Sequence, residues 1–232
     1  MSQTKKPNQA PSIKICGLRD ESTIATMNGL PITEVGLVFA PSKRQVTVEQ
    51  GGRLAEAIKK LACRDGLAPR AAGVFVNLPL QDMIELLEQV QLDIVQLHGQ
   101  EAVDYYRSLR EAYPQLALWK VVSIKAETAQ PDKQQIINEL APFVPYIERL
   151  LLDAPGGGTG KPFNWQAISI YKEAAQQLGK ALVVAGGLHA GNVGELLGRY
   201  SVDGVDVSSG VETDGVKDSD KITEFVRKVI EA

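Results

Sequence analysis

Cysteine and histidine are scarce in this 232-residue chain, two of each, and their placement narrows the chemistry open to it. Cys16 and Cys63 lie far apart in segments of different character, which argues against a structural disulfide. With His98 and His189 they form no group of zinc-ligand spacing, so no metal is expected. Long apolar runs are missing too. The longest are strand-sized, against the roughly 20 residues that span a bilayer, so no membrane partner is expected. Residues 1–11 are polar, include Lys5 and Lys6, and lack the apolar core of a signal peptide; they read as a disordered tail, with the cytoplasm as default location. An excess of one charge is also absent. Lys and Arg number 25 against 28 Asp and Glu, a net charge of −3, and no predicted helix carries a basic stripe, which excludes a nucleic-acid partner. Any anionic ligand must be held by local positive groups.

What is present is a regular alternation. At 44% hydrophobic and 23% charged the chain has the composition of an ordinary globule, and residues 12–232 read as one domain. Short β-branched runs predict strands at Ile13–Cys16, Glu34–Phe39, Arg70–Val76, Ile94–Leu97, Leu116–Val121, Leu150–Leu152, Ala181–Ala185 and Gly204–Val207. Between them, helical patterns fall at about Asp20–Asn28, Thr47–Leu61, Leu80–Gln89, Ala102–Ala112, Lys133–Val144, Trp165–Leu178, Val193–Arg199 and Asp218–Ile230. Leu54, Ala57, Ile58 and Leu61 make the stripe expected of a helix that covers a sheet. Pro79 and Asn192 suit helix starts. Eight βα units without a break in composition favour a closed, single-domain (β/α)8 barrel. An open doubly wound sheet that bound dinucleotides would need a fingerprint loop after its first strand, and Cys16-Gly17-Leu18-Arg19 is not one.

In such a barrel the chemistry gathers at the C-terminal ends of the strands. The stretch Leu150 to Lys161 puts Asp153 there, ahead of a glycine-rich run of bare amides suited to an anion. It fails as a nucleotide P-loop, because Pro155 and Pro162 occupy places that need Gly and a hydroxyl residue. Cys16 ends the first strand, Arg44 lies beyond the second and His98 ends the fourth. Gly186-Gly187 and Ser208-Ser209 follow the seventh and eighth, where these barrels hold phosphate. Because residues two apart share a face, Lys14 is expected below Cys16, paired with Asp206 across the barrel closure. The same rule is taken to turn Gln96 and Lys120 inward. Cys63 reads as helix packing, Trp119 and Trp165 as core or inter-element packing, and His189 as a solvated loop residue.

The ordered motifs resemble the phosphoribosylanthranilate isomerase family. They are Lys14-Ile15-Cys16-Gly17, Gly36-Leu37-Val38-Phe39 with Ser42-Lys43-Arg44, Val74-Phe75-Val76-Asn77 and Val95-Gln96-Leu97-His98-Gly99. Leu151-Leu152-Asp153 with Gly158-Thr159-Gly160-Lys161, Gly186-Gly187-Leu188 with Asn192-Val193, and Asp206-Val207-Ser208-Ser209-Gly210-Val211-Glu212 complete the set. The resemblance spans Lys14 to about Lys228. It implies an Amadori rearrangement in tryptophan biosynthesis, acting on a small phosphorylated substrate without a cofactor. It matches Asp153 to the general acid, Cys16 to the general base and Arg44 to the residue that holds the anthranilate carboxylate. Gly158, Gly160, Gly186, Gly187, Ser208 and Ser209 match the phosphate site. His98 and Asp206 join Arg44 in the substrate-binding set. A moderate base suffices beside an iminium, and neighbouring positive charge, with Lys14 a candidate, is expected to lower the Cys16 pKa. Arg19 departs from the family, in which a small or hydroxyl residue is common there. The alternatives are another sugar-phosphate barrel enzyme, with Lys14 or Lys120 as a Schiff-base candidate, and a non-catalytic phosphate-binding barrel. A monomer or homodimer is expected.

Overall fold

The computed structural model describes residues 10–124, 132–154 and 164–232. Eight parallel strands close a barrel in sequential order: β1 (Ser12–Cys16), β2 (Glu34–Val38), β3 (Arg70–Phe75), β4 (Ile94–Leu97), β5 (Ala117–Ser123), β6 (Arg149–Asp153), β7 (Ala181–Val184) and β8 (Gly204–Val207). The helices α1 (Glu21–Thr26), α2 (Val48–Lys59), α3 (Leu80–Gln89), α4 (Val103–Ala112), α5 (Lys133–Leu140), α6 (Gln166–Gln177), α7 (Val193–Arg199) and α8 (Ser219–Ile230) alternate with them. After β8 a short antiparallel hairpin, β9 (Glu212–Thr213) and β10 (Val216–Lys217), precedes α8. Among the described residues no helix is long and apolar enough to cross a membrane.

Register sorts the strand residues into two faces. Outward residues such as Ile13, Val35, Leu97, Leu118, Leu152 and Val205 are fully buried under the helices. Inward, a small apolar layer of Ala72, Ile94, Ala117, Trp119, Val121, Leu151, Val183 and Ala185 fills the middle of the barrel. Polar residues bound that layer at both ends. Below it Glu34 pairs with Arg70 at 3.0 Å and Arg149 at 3.5 Å, and both guanidinium groups lie over the Trp119 ring. Above it stand Lys14, Cys16, Gln96, Asp153 and Asp206, all buried.

Several expectations change in detail. The helix predicted over Lys133–Val144 stops at Leu140, where a 3-10 turn begins. Pro142, lacking an N–H, cannot extend the helical ladder. The predicted Asp20–Asn28 helix shortens because the turn through Asn28 and Gly29 is tied to Ala62 by two hydrogen bonds. Asn192 occupies the N-cap position of α7 as expected, but its side chain makes no cap hydrogen bond and turns back to accept from His189 N and donate to Gly187 O. Lys120 does not face inward. Trp119 holds the inward phase on β5, and the Lys120 ammonium lies outside the barrel, 4.2 Å from the Phe143 ring centre and 5.4 Å from that of Tyr106. Cys63, a packing residue as expected, sits just beyond α2 in the core, its thiol donating to Met27 O.

Candidate active site

A cavity of about 350 Å³ opens at the C-terminal ends of the strands. Cys16, Arg44, His98, Asp153, Gly186, Gly187, Asp206, Ser208 and Ser209 all line it. Gly158 and Gly160 lie outside the described residues.

Cys16 closes β1 opposite Gly36 of β2, and a Cβ at Gly36 would stand 2.6 Å from the Cys16 sulfur. Only glycine leaves room for a side chain of that size to turn into the barrel there. One step below, Lys14 donates to Asp206 Oδ2 at 2.9 Å across the β1–β8 closure, as the register Lys14 to Asp206 requires. Burial would lower the Lys14 pKa, but the Asp206 charge and the neighbouring Cys16 outweigh it and raise it, so the ammonium stays charged. For Cys16 the balance falls the other way from expectation. Burial raises the thiol pKa, the Lys14 charge lowers it and Asp206 raises it again, leaving a net rise. Lys14 offsets the burial of Cys16 without overcoming it, because Asp206 takes its charge.

Asp153 closes β6 and pairs in register with Ser123, whose place on the cavity wall follows from β5 running two residues past its predicted end. Its carboxylate accepts from Ala154 N at 2.7 Å. Burial and the nearby Asp206 charge push its pKa from 3.8 up to about 6, against the lowering influence of that N–H and of Lys14. A carboxyl so placed is ionised at neutral pH but exchanges its proton far closer to neutrality than an ordinary aspartate, as a general acid needs. Gly186, at φ 81°, lets the loop after β7 lie against it; a Cβ there would stand 2.7 Å from Ala154 N and 3.1 Å from Asp153 Oδ1.

Arg44 is buried and paired side-on with Glu212, Nε to Oε1 at 2.5 Å and Nη2 to Oε2 at 2.9 Å. Lys217 donates to the same carboxylate at 2.6 Å and to Ser208 O at 2.9 Å. Burial would raise the Glu212 pKa, but these hydrogen bonds hold it down at about 2. The Ser208 hydroxyl is already engaged with Cys16 O at 3.0 Å, so it latches β8 to β1 at the cavity rim. His98 meets Gln96 through its Nε2. Burial and the Lys14 charge lower its pKa to about 3, so the ring is neutral. His189 is exposed, as expected.

Sequence reasoning missed Lys217 and Ser123 and gave Glu212 no role. The signal for Lys217 was present: Asp214-Gly215 between two short extended pairs is a two-residue hairpin signature, and both residues have positive φ. Among the described residues, no group of three or more His, Cys, Asp or Glu side chains could hold a metal ion.

The chain matches known proteins along nearly its whole length. The family model described as N-(5'-phosphoribosyl)anthranilate (PRA) isomerase matches residues 13–228. An N-(5'-phosphoribosyl)anthranilate isomerase of Brevibacillus brevis is 40% identical over 221 residues, 94% of this chain and 92% of the relative. One of Clostridium acetobutylicum is 37% identical, covering 94% of this chain and 97% of the relative. The structure of monomers generated from the dimeric phosphoribosylanthranilate isomerase of Thermotoga maritima superposes with a TM-score of 0.74 at 29% identity, covering 96% of this chain and all of that one. A phosphoribosylanthranilate isomerase in complex with reduced 1-(o-carboxyphenylamino)-1-deoxyribulose 5-phosphate does so at 0.73 and 27%, with 96% of this chain and 100% of that one covered.

Proposed function

The chain belongs to the N-(5'-phosphoribosyl)anthranilate isomerase family and is an isomerase of tryptophan biosynthesis, and from that premise we propose how its residues divide the work. The reaction converts N-(5-phosphoribosyl)anthranilate to 1-(2-carboxyphenylamino)-1-deoxyribulose 5-phosphate. The observation that carries the assignment is that a carboxyl with a pKa near 6, Asp153, and a thiol beside a buried ammonium, Cys16, line one cavity.

Asp153 gives its proton to the furanose ring oxygen as the bond from that oxygen to C1 breaks, leaving an iminium between C1 and the anthranilate nitrogen. The Cys16 thiolate then takes the C2 proton, and the C2–H electron pair moves to neutralise the iminium as an enolamine. Tautomerisation gives the ketone. The iminium acidifies C2 and, by its charge, favours the thiolate that burial disfavours in the empty site. Arg44 holds the anthranilate carboxylate, and the backbone around Gly186, Gly187 and Ser209 holds the phosphate, joined by Gly158 and Gly160. Ser208 contributes backbone to that site, its hydroxyl being spent on Cys16 O. Asp206 Oδ1, buried without a partner among the described residues, accepts from a ribulose hydroxyl, and the neutral His98 ring lies against the substrate. The competing Schiff-base reading loses Lys120, which lies outside the barrel. The enzyme acts in the cytoplasm as a monomer or homodimer. Its exposed large apolar residues include Leu67, Val76, Val216 and Ile230, and light scattering on the purified chain decides between the two states.

Loss of anthranilate fluorescence tests the assignment, with the substrate generated in situ and no metal added. Rapid decay with the wild-type chain, and decay slowed at least 10²-fold in both Cys16→Ser and Asp153→Asn, is the expected result. Full activity in either variant removes that residue from its role.

A further inference from the structure

Two buried charges on the catalytic face, Glu212 and Lys217, take no part in the reaction as written. We propose that Glu212, pinned by Lys217, is a positioning residue that makes Arg44 selective for the aryl carboxylate of the substrate. The inference rests on Arg44 being the carboxylate-binding residue.

A guanidinium offers two edges that can each grip a planar carboxylate. Glu212 occupies the side edge, Nε and Nη2. The end edge, Nη1 with the second proton of Nη2, is left for an anion in the cavity that Arg44 lines, and Nη1 donates to none of the described residues. Arg44 is long and rotamer-rich, so holding its side edge fixes where the end edge points. Glu212 is itself held. Lys217 binds its Oε1 and the Ser208 carbonyl, and the Ser208 hydroxyl binds Cys16 O, so β9 and β10 are fastened to the tops of β8 and β1. The carbonyl that Ser208 grips belongs to Cys16 itself, so one chain of contacts locates both the base and the carboxylate fork.

Charge points the same way. Glu212 is a single carboxylate between Arg44 and Lys217, whose side chains are 8% and 3% exposed. The nearby Lys43 is 60% exposed and screened by water. One buried positive charge is therefore left uncompensated, and a bound carboxylate balances it. A fork fixed in direction grips an anion only where its end edge points, so it rewards a carboxylate held at that place on the aryl ring.

The test compares inhibition by two probes, the reduced product analogue and its aniline counterpart lacking the carboxylate, in wild type, Arg44→Met, Glu212→Gln and Lys217→Met. Wild type is expected to prefer the carboxylated probe, and Arg44→Met to lose the preference. Glu212→Gln is expected to reduce it about tenfold and Lys217→Met at least threefold, with binding of the aniline probe within twofold of wild type. A purely structural clamp weakens both probes alike, and that outcome overturns the proposal. So does a preference kept within twofold in both variants. Should Glu212→Gln fail to fold, Lys217→Met decides alone, since it leaves the pairing of Arg44 with Glu212 in place. A preference that survives Arg44→Met removes the carboxylate reading itself; one lost there but kept in Glu212→Gln and Lys217→Met removes only the positioning role.

Discussion

The protonation states of Asp153 and Cys16 run opposite to what their roles need. Asp153 must hold a proton and has a pKa of about 6; Cys16 must lose one and has its pKa raised above 9.0. Between these values most enzyme carries ionised Asp153 and neutral Cys16, and the reactive form, with the proton on Asp153, is a small constant fraction. Below pH 6 both groups are protonated and that fraction falls tenfold for each pH unit. The expected kcat/KM profile therefore rises to about pH 6, stays flat, and declines on the alkaline side as Asp153 and Cys16 both ionise. A substrate phosphate also titrates near 6. Asp153→Asn separates the two sources: with no carboxyl left to titrate, its residual activity must follow the Cys16 thiolate and keep rising through pH 6, and a break that stays near 6 belongs to the substrate. Gly36 bears on the same pair of roles. The Ala Cβ in Gly36→Ala would stand 3.0 Å from the Cys16 Cα as well as 2.6 Å from its sulfur, so backbone and not just a rotamer must yield. A displacement of about 1 Å at the base can cost 10²-fold in rate, and kcat of Gly36→Ala is expected to fall by about that much.

At the scale of elements, most of the fold was legible because the strands announce themselves twice, by β-branched composition and by the helical stripes between them. The extents of β4, α3, β8 and α7 match their predicted ranges, Ile94–Leu97, Leu80–Gln89, Gly204–Val207 and Val193–Arg199. What failed was decided by tertiary contact. Lys120 was turned inward by counting faces on a fully buried strand, where apolar residues stand on both sides and alternation carries no sign. The ion pairs around Trp119 settle the phase of β5, and no local signal encodes them. The pairing of Lys14 with Asp206 was legible because a buried ammonium demands a partner and the closure of the barrel offers one. The expected depression of the Cys16 pKa was not, since it turns on how Lys14 shares its charge. Loops after strands obey the same limit: the place of the glycine pair after β7 on the cavity wall was readable, but not its contact with Asp153. That contact yields an expectation of its own. Gly186→Ala forces a residue with φ near 81° to carry a Cβ 2.7 Å from Ala154 N, which moves the Asp153 end of β6. Its kcat is expected to drop at least tenfold while the far-ultraviolet circular dichroism is unchanged.

Across the whole molecule the two ends of the barrel carry polar groups for opposite reasons, and stability measurements should tell them apart. At the N-terminal end Glu34, with its side chain 2% exposed, is satisfied by Arg70, Arg149 and the Thr33 hydroxyl. Removing one partner of a buried pair costs about 3–5 kcal/mol, but here the two arginines are part-exposed and keep Glu148. Glu34→Ala is expected to cost roughly 2–3 kcal/mol, a fall of about 5–10 °C in Tm for a chain of this size, with KM and kcat within twofold of wild type. At the C-terminal end Asp153 is charged at neutral pH in a place that disfavours charge. Its folded-state pKa lies above the ordinary 3.8, so the folded state binds the proton more tightly than the unfolded one, and stability declines as pH rises from about 4 to above 6. The rise to about 6, at about 1.4 kcal/mol for each pH unit, amounts to roughly 3 kcal/mol as an upper bound. Asn keeps the oxygen that accepts from Ala154 N and carries no charge. Asp153→Asn is therefore expected to raise Tm at pH 7, by up to about 10 °C on the same scale, and to leave it nearly unchanged at pH 4. Thermal melts of both variants at the two pH values check this. A Tm that falls at pH 7 in Asp153→Asn would mean that the carboxylate is stabilised in place, and the argument for its raised pKa would fail with it.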